Sequence, residues 1–247
     1  MTKAIILAAG SGSRLKQLNT PKCLITVGGK TLLEWQVEAL IQGGVRDIAI
    51  VTGYKGNMIT HPSMKEYFKN EKWEQTNMVY SLLYAKKWLE QYDCIVSYAD
   101  IIFESSVILK TCECNYNLVL PYNTRWLSLW KKRFNDPLID AETFILDAKG
   151  TLLEIGKKAT DLSQIQGQYM GLIKFTPRGW QEISHFLLKQ NTEVVDKLDM
   201  TSLLNKLITS GVEINTVPID GNWFEIDNEK DIELCKSYFD KGLIKSI

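Results

Sequence analysis

The sequence holds only two histidines, His61 and His185, and five cysteines, Cys23, Cys94, Cys112, Cys114 and Cys235. The cysteines are odd in number and follow no framework spacing, which excludes a disulfide scaffold and fits reduced thiols. Cys112-Glu113-Cys114 has no second Cys pair and no histidine nearby, so the ligand set of a structural zinc site is missing. Neither sign of charge is in excess: Lys and Arg total 29, Asp and Glu total 29. A chain without a net field lacks the electrostatic footprint of a nucleic-acid or anionic-membrane binder. No apolar run approaches the roughly 20 residues of a membrane span. The six apolar residues from Ala4 to Ala9 are too few for a signal-peptide core. A cytoplasmic protein is therefore expected. Long linkers, low-complexity segments and internal repeats are also missing. The 247 residues, 45% hydrophobic and 23% charged, are expected to form one α/β domain over 1–247, with an insertion around 122–170.

What the sequence does have is concentrated near its start. Ala4-Ile5-Ile6-Leu7 is apolar without alternation, as in a strand buried on both faces of a parallel sheet. It runs into Ala8-Ala9-Gly10-Ser11-Gly12-Ser13-Arg14, with Pro21-Lys22 beyond. Small residues let backbone N–H groups approach phosphate oxygens, and Arg14 and Lys22 add two cations at the same mouth. Two common phosphate motifs do not fit. The dinucleotide fingerprint needs a glycine where Leu15 stands, and the Walker loop needs one at Leu24.

Further along, Thr31-Leu32-Leu33-Glu34 is a capping box that opens a helix ended by Gly43-Gly44. Asp47–Thr52 predicts a second buried strand, and Gly53-Tyr54 follow at its ligand-bearing end. Residues 56–72 are weakly patterned. Thr76-Asn77 marks a helix start, and Cys94–Tyr98 predicts a core strand ending in Ala99-Asp100. An acid at that end suits a cation, or alternatively a structural cap. Trp126 and Trp130 share a helical face, which suits core or dimer packing, or a cationic ligand. Leu118–Pro121, Phe144–Leu146, Gln168–Lys174 and Glu213–Pro218 are predicted strands, and Pro177, Asp199 and Asn228 open predicted helices.

Three separated motifs then align: Ala-Ala-Gly-x-Gly-x-Arg with Pro-Lys, Asp100 after a core strand, and Trp223-Phe224-Glu225-Ile226-Asp227. Together they resemble the sugar-nucleotidyltransferase superfamily over essentially the whole chain. Thr76-Asn77-Met78-Val79-Tyr80-Ser81-Leu82 is similar to the phosphocholine cytidylyltransferase branch. Trp126–Arg133, Pro137-Leu138, Asp140–Thr143 and Gly156-Lys157-Lys158 resemble the phosphoglutamine cytidylyltransferases of capsule phosphoramidate pathways.

The resemblance implies a GT-A-like three-layer fold with a mostly parallel mixed sheet, Mg²⁺, CTP and a small phosphorylated acceptor. It places Leu7, Ala8, Ala9, Gly10, Ser11, Gly12, Gly53, Asn77 and Ser81 at the nucleotide. Arg14 and Lys22 fall on the triphosphate, and Asp100 and Asp227 on the metal. Both aspartates are expected to follow core strands. Acceptor-side candidates are Lys157, Lys158, Trp126, Glu142, Tyr169 and Glu225, with the insertion on that side. Ala99 stands where many relatives carry a second acid or a glycine, which leaves one or two metals open. No nucleic-acid or membrane partner is expected, and a homodimer is an open alternative. A GT-A glycosyltransferase is disfavoured because Asp-x-Asp is lacking, Tyr98 standing two before Asp100. A sugar 1-phosphate acceptor and a non-catalytic nucleotide sensor remain as rivals.

Overall fold

The computed structural model describes residues 1–12, 15 and 19–241. In chain order, β1 (Lys3–Ala8) is followed by the short pair β2 (Thr26–Val27) and β3 (Lys30–Thr31), then α1 (Leu32–Gln42), β4 (Ile48–Thr52) and β5 (Met64–Lys69). Next come α2 (Met78–Leu83), α3 (Lys86–Leu89), β6 (Cys94–Tyr98), β7 (Ile101–Phe103), α4 (Ser105–Glu113) and β8 (Leu118–Asn123). Then follow α5 (Trp126–Arg133), β9 (Glu142–Leu146), β10 (Leu152–Lys158), β11 (Gln168–Tyr169) and β12 (Leu172–Phe175). The rest is α6 (Pro177–Leu187), α7 (Thr192–Lys197), α8 (Met200–Thr209), β13 (Asn215–Ile219), β14 (Trp223–Glu225) and α9 (Glu229–Asp240). Among the described residues, no helix is long and apolar enough to cross a membrane.

β1 shows why the sheet is covered on both sides. Ala4, Ile6 and Ala8 feed one apolar core with α1, while Ile5 and Leu7 feed a second with α2, α3, α6 and α8. Period-two alternation with apolar residues in both registers gives three layers, α/β/α. The main sheet runs β11–β8–β12–β6–β1–β4–β5, with β13 also paired to β8. β6, β1, β4 and β5 are parallel, and β13 is parallel to β8. β12 is antiparallel to β6 and β8. The result is a mostly parallel mixed sheet. The carboxyl ends of β1, β4 and β6 lie along one edge, where open α/β sheets bind ligands.

The capping boxes at Thr31/Glu34 and Asn228/Asp231 both form. Three parts of the expectation change. Residues 56–72 contain a real strand, β5, which pairs only with β4 at the sheet's edge. Its alternation is half-exposed and rich in charge, as an edge strand requires, so no apolar run marks it. Gln168–Lys174 is not one strand: β11 and β12 are separated at Met170-Gly171. The strand before Asp227 is not part of the main sheet. β14 forms a separate antiparallel ribbon with β7, and that ribbon positions the site.

Candidate active site

Ala99 and Asp100 alone connect β6 to β7, which begins at Ile101. In the ribbon, Glu225 pairs with Ile101, and the Ile226 N–H donates to the Asp100 carbonyl at 2.9 Å. This register carries Asp227 to Asp100. The Lys22 ammonium bridges the two carboxylates, donating to Asp100 Oδ2 at 2.6 Å and Asp227 Oδ1 at 2.8 Å. Burial alone would lower the Lys22 pKa, but the two carboxylates outweigh it and the net shift is upward. Lys22 was expected on a triphosphate; here its ammonium sits between the carboxylates.

Asp227 is held from its other side. Arg133, its side chain 2% exposed, donates to Asp227 Oδ2 at 3.3 Å and Glu225 Oε2 at 3.4 Å. It grips Asp231 with Nε at 2.8 Å and a terminal nitrogen at 3.1 Å. Asp231 Oδ2 also accepts the Asp227 N–H at 2.9 Å, so the capping residue of α9 fixes both backbone and counter-ion. Burial, and then the Asp227 and Asp100 charges, raise the Glu225 pKa against the opposing pull of Arg133 and Lys22.

Two cavities meet at this centre. The first, about 200 Å³, is lined by Leu7, Ala8, Ala9, Gly10, Gly12, Asn77 and Ser81, together with Lys22 and Asp100. Ser11 and Gly53 do not line it. Gly53 lies beneath: a Cβ there would stand 2.6 Å from both the Ala9 carbonyl and Trp73 Cβ, so only glycine lets β4 close against the loop. The Tyr54 N–H donates to that carbonyl at 2.9 Å. Trp73 joins the wall without having been singled out in the sequence, and Thr76, Met78 and Tyr98 join it without having been assigned to the nucleotide. Nor was Asn70, fully buried, whose amide donates to Thr76 and Ser81 at 3.0 Å each and so fixes the far wall. Asn77 caps α2 and reaches the Lys197 carbonyl at 3.2 Å, which ties α2 to α7. Arg14 lies outside the described residues.

The second cavity, about 260 Å³, is lined by Glu142, Tyr169, Glu225 and Asp227 among others. Lys157, Lys158 and Trp126 do not line either cavity. Lys157 and Lys158 are exposed on β10, and Lys157 pairs with Glu154. Trp126 is 4% exposed and packs edge-on against Trp130 at 6.1 Å. Trp130 faces the cavity instead, because α5 stacks it on Trp223 at 5.6 Å. Met78 and Tyr98 belong to both linings, so the cavities are adjacent.

The small-residue turn after β1 thus opens beside two converging carboxylates. The model of the MobA-like NTP transferase domain matches residues 4–138. The chain belongs to this family and is a nucleotidyltransferase. A CTP:phosphoglutamine cytidylyltransferase of Campylobacter jejuni subsp. jejuni is 36% identical over 248 residues, 94% of this chain and 98% of that protein. A choline-phosphate cytidylyltransferase of Streptococcus pneumoniae is 41% identical over 92 residues, covering 35% of this chain and 40% of that protein. The solved inositol-1-phosphate CTP transferase of T. maritima superposes with a TM-score of 0.75 over 99% of this chain and 98% of that one. Its identity is 19%, so this likeness speaks for the fold.

Proposed function

We propose that the chain transfers CMP from CTP to a small phosphorylated acceptor, with phosphoglutamine the leading acceptor and phosphocholine the next. The observation that carries this reading is the pair of adjacent cavities, one reaching Asp100 and the other Asp227, with both carboxylates on one Lys22 ammonium. The near full-length similarity to the Campylobacter jejuni cytidylyltransferase supports CTP and a phosphorylated amino-acid-type acceptor.

An acceptor phosphoryl oxygen is anionic near neutral pH and needs no protein base. Its attack on the α-phosphorus forms one P–O bond and breaks the α–β bridging bond, whose electron pair leaves on pyrophosphate. The chain's task is to hold two anions in line and to balance charge on the leaving group. The backbone of the Ala8–Gly12 loop binds phosphate oxygens. Lys22, with Arg14 of the same sequence motif, is assigned to compensating the charge that builds on pyrophosphate.

The carboxylate pair fits Mg²⁺. Asp100 and Asp227 reach a single cationic centre at 2.6 and 2.8 Å, and Asp100 Oδ1 is buried with no hydrogen-bond partner. Mg²⁺ binds through one or two carboxylates plus phosphates and waters. Held by Asp100 and Asp227, it would supply neutralisation of the α-phosphate in the transition state.

Pyrophosphate release measured with CTP, UTP, GTP, ATP and dTTP against phosphoglutamine, phosphocholine and glucose 1-phosphate tests the reading. CTP with phosphoglutamine is expected to be fastest. A preference for UTP or dTTP with glucose 1-phosphate would return the protein to the sugar-nucleotide branch, and no release with any pair would favour a nucleotide sensor. Lys22→Ala is expected to lower turnover about 10²-fold, as removal of one preorganised electrostatic group does, with a smaller change in CTP affinity by calorimetry. Unchanged turnover in the folded variant would remove Lys22 from the mechanism.

A further inference from the structure

The second cavity is built almost wholly of acids where it carries charge. Asp140, Glu142, Asp199, Glu225 and Asp227 line it, and no lysine or arginine does among its described lining residues. Glu225 and Asp227 are met from behind by Arg133, and Asp227 also by Lys22. Glu142 and Asp199 come from other elements and act on each other electrostatically. Glu142 begins β9, and Asp199 caps α8, accepting the Ser202 N–H at 2.7 Å.

Their meeting is built in by Gly156. β10 pairs Lys158 with Glu142, and two residues before it a Cβ on Gly156 would stand 2.7 Å from Thr201 Cβ. The missing side chain, at φ +81°, lets the start of α8 press against β10 and brings Asp199 to Glu142. Burial raises the Glu142 pKa, and repulsion from Asp199 and Asp140 adds to it. Like charges held in a cavity wall favour a cation between them.

A second observation is independent of the acids. Trp130 is fully buried and forms part of the same wall, and its indole N–H has no hydrogen-bond partner. A buried N–H without an acceptor is costly unless a ligand oxygen supplies one. The Trp130 ring is already engaged: Arg133 lies 4.7 Å from its centroid, and Trp223 stacks on it with planes 13° apart. Its ring is therefore already packed, and its N–H is the polar group left without a partner. Gln168 Oε1, a third lining atom, is also buried and unpartnered, and it accepts N–H donors.

Resting on the cytidylyltransferase reading above, we infer that Glu142 and Asp199 read a primary ammonium on the phosphorylated acceptor, while the Trp130 N–H takes an acceptor oxygen. The cavity thus selects a zwitterionic, amino-acid-type phosphoryl compound. A trimethylammonium group has no N–H to donate to the carboxylates, and a sugar phosphate has no cation.

The test uses the whole chain with CTP and Mg²⁺. Phosphoglutamine is compared with its Nα-acetyl derivative, which differs in losing the ammonium charge. kcat/KM for the acetylated compound is expected to be about 10²-fold lower, as when one partner of a buried charge pair is lost. Glu142→Gln should lower kcat/KM for phosphoglutamine by a similar factor through KM, change the acetylated compound little, and leave CTP affinity by calorimetry unaltered. The melting temperature of Glu142→Gln, expected to stay close to that of the unmodified protein, separates loss of the charge from damage to the wall. Equal use of the two compounds by the unmodified protein, or equal loss of both in Glu142→Gln, would overturn the inference. If phosphoglutamine is not turned over, the cytidylyl reading of the acceptor fails separately. Binding of phosphoethanolamine, phosphocholine and glucose 1-phosphate in the presence of CTP then decides the charge question. Phosphoethanolamine at least tenfold tighter than both others upholds the ammonium site, and any other order rejects it.

Discussion

Asp100→Asn and Asp227→Asn are each expected to lower turnover by roughly 10³-fold, because each removes half of the carboxylate pair that would hold the metal against the α-phosphate. The double variant should lose little more, since groups acting as one unit are not additive. Stability should behave in the opposite sense. Either single variant leaves Lys22 one carboxylate within 2.8 Å, so the ammonium stays compensated. The double variant strands a lysine whose side chain is only 14% exposed. Removing the last partner of a buried ion costs about 3–5 kcal/mol, more than the sum of two partial losses. Turnover and melting temperature for the three variants separate the possibilities. Full activity in either single variant, with stability losses that simply add, would mean two unrelated structural aspartates.

Arg133→Met is expected to be the most damaging substitution away from the nucleotide. It leaves Asp231, Glu225 and Asp227 without the guanidinium that contacts all three at 2.8–3.4 Å. Breaking such a buried network costs about 3–5 kcal/mol. For a chain of this size that is a fall in melting temperature of roughly 6–20 °C. Activity well below the transition should fall as well, because Asp227 loses the contact that fixes its outer oxygen. Arg133→Lys keeps the charge but not the fork that grips Asp231 through two nitrogens, so it should recover part of the stability and little of the turnover. A melting temperature within a degree of the unmodified protein for Arg133→Met would show that the network contributes nothing net.

How much of this was legible beforehand depends on how local each signal is. Ala4–Leu7, Thr31 with Glu34, and Asn77 declare their roles within a few residues, and the structure puts them in a buried strand, a capping box and an N-cap. Asp100 and Asp227 stood out because an acid after a core-like apolar stretch is unusual. β5 did not, because an edge strand carries charge and little apolar pattern. Asp231 was not singled out; that it is buried and pairs with Arg133 depends on a partner 98 positions away. The acidic wall was invisible for the same reason. Asp140, Glu142 and Asp199 meet only once Gly156 has let α8 approach β10, and in the sequence that glycine seemed to announce the lysines after it. Lys22 was read by its charge and by the Pro-Lys motif, and neither says which anions it faces before a ligand arrives.

The β7–β14 ribbon sets a timetable for the chain. The nucleotide cradle comes from residues before Ala99 and Asp100, but its counterpart Asp227 lies 205 positions beyond Lys22 and arrives on a strand outside the main sheet. Closing so long a loop is entropically slow compared with pairing β1, β4 and β6. During synthesis the residues that line the first cavity are thus all made before Asp227. The Lys22 centre therefore has both of its carboxylates only after the final segment has docked.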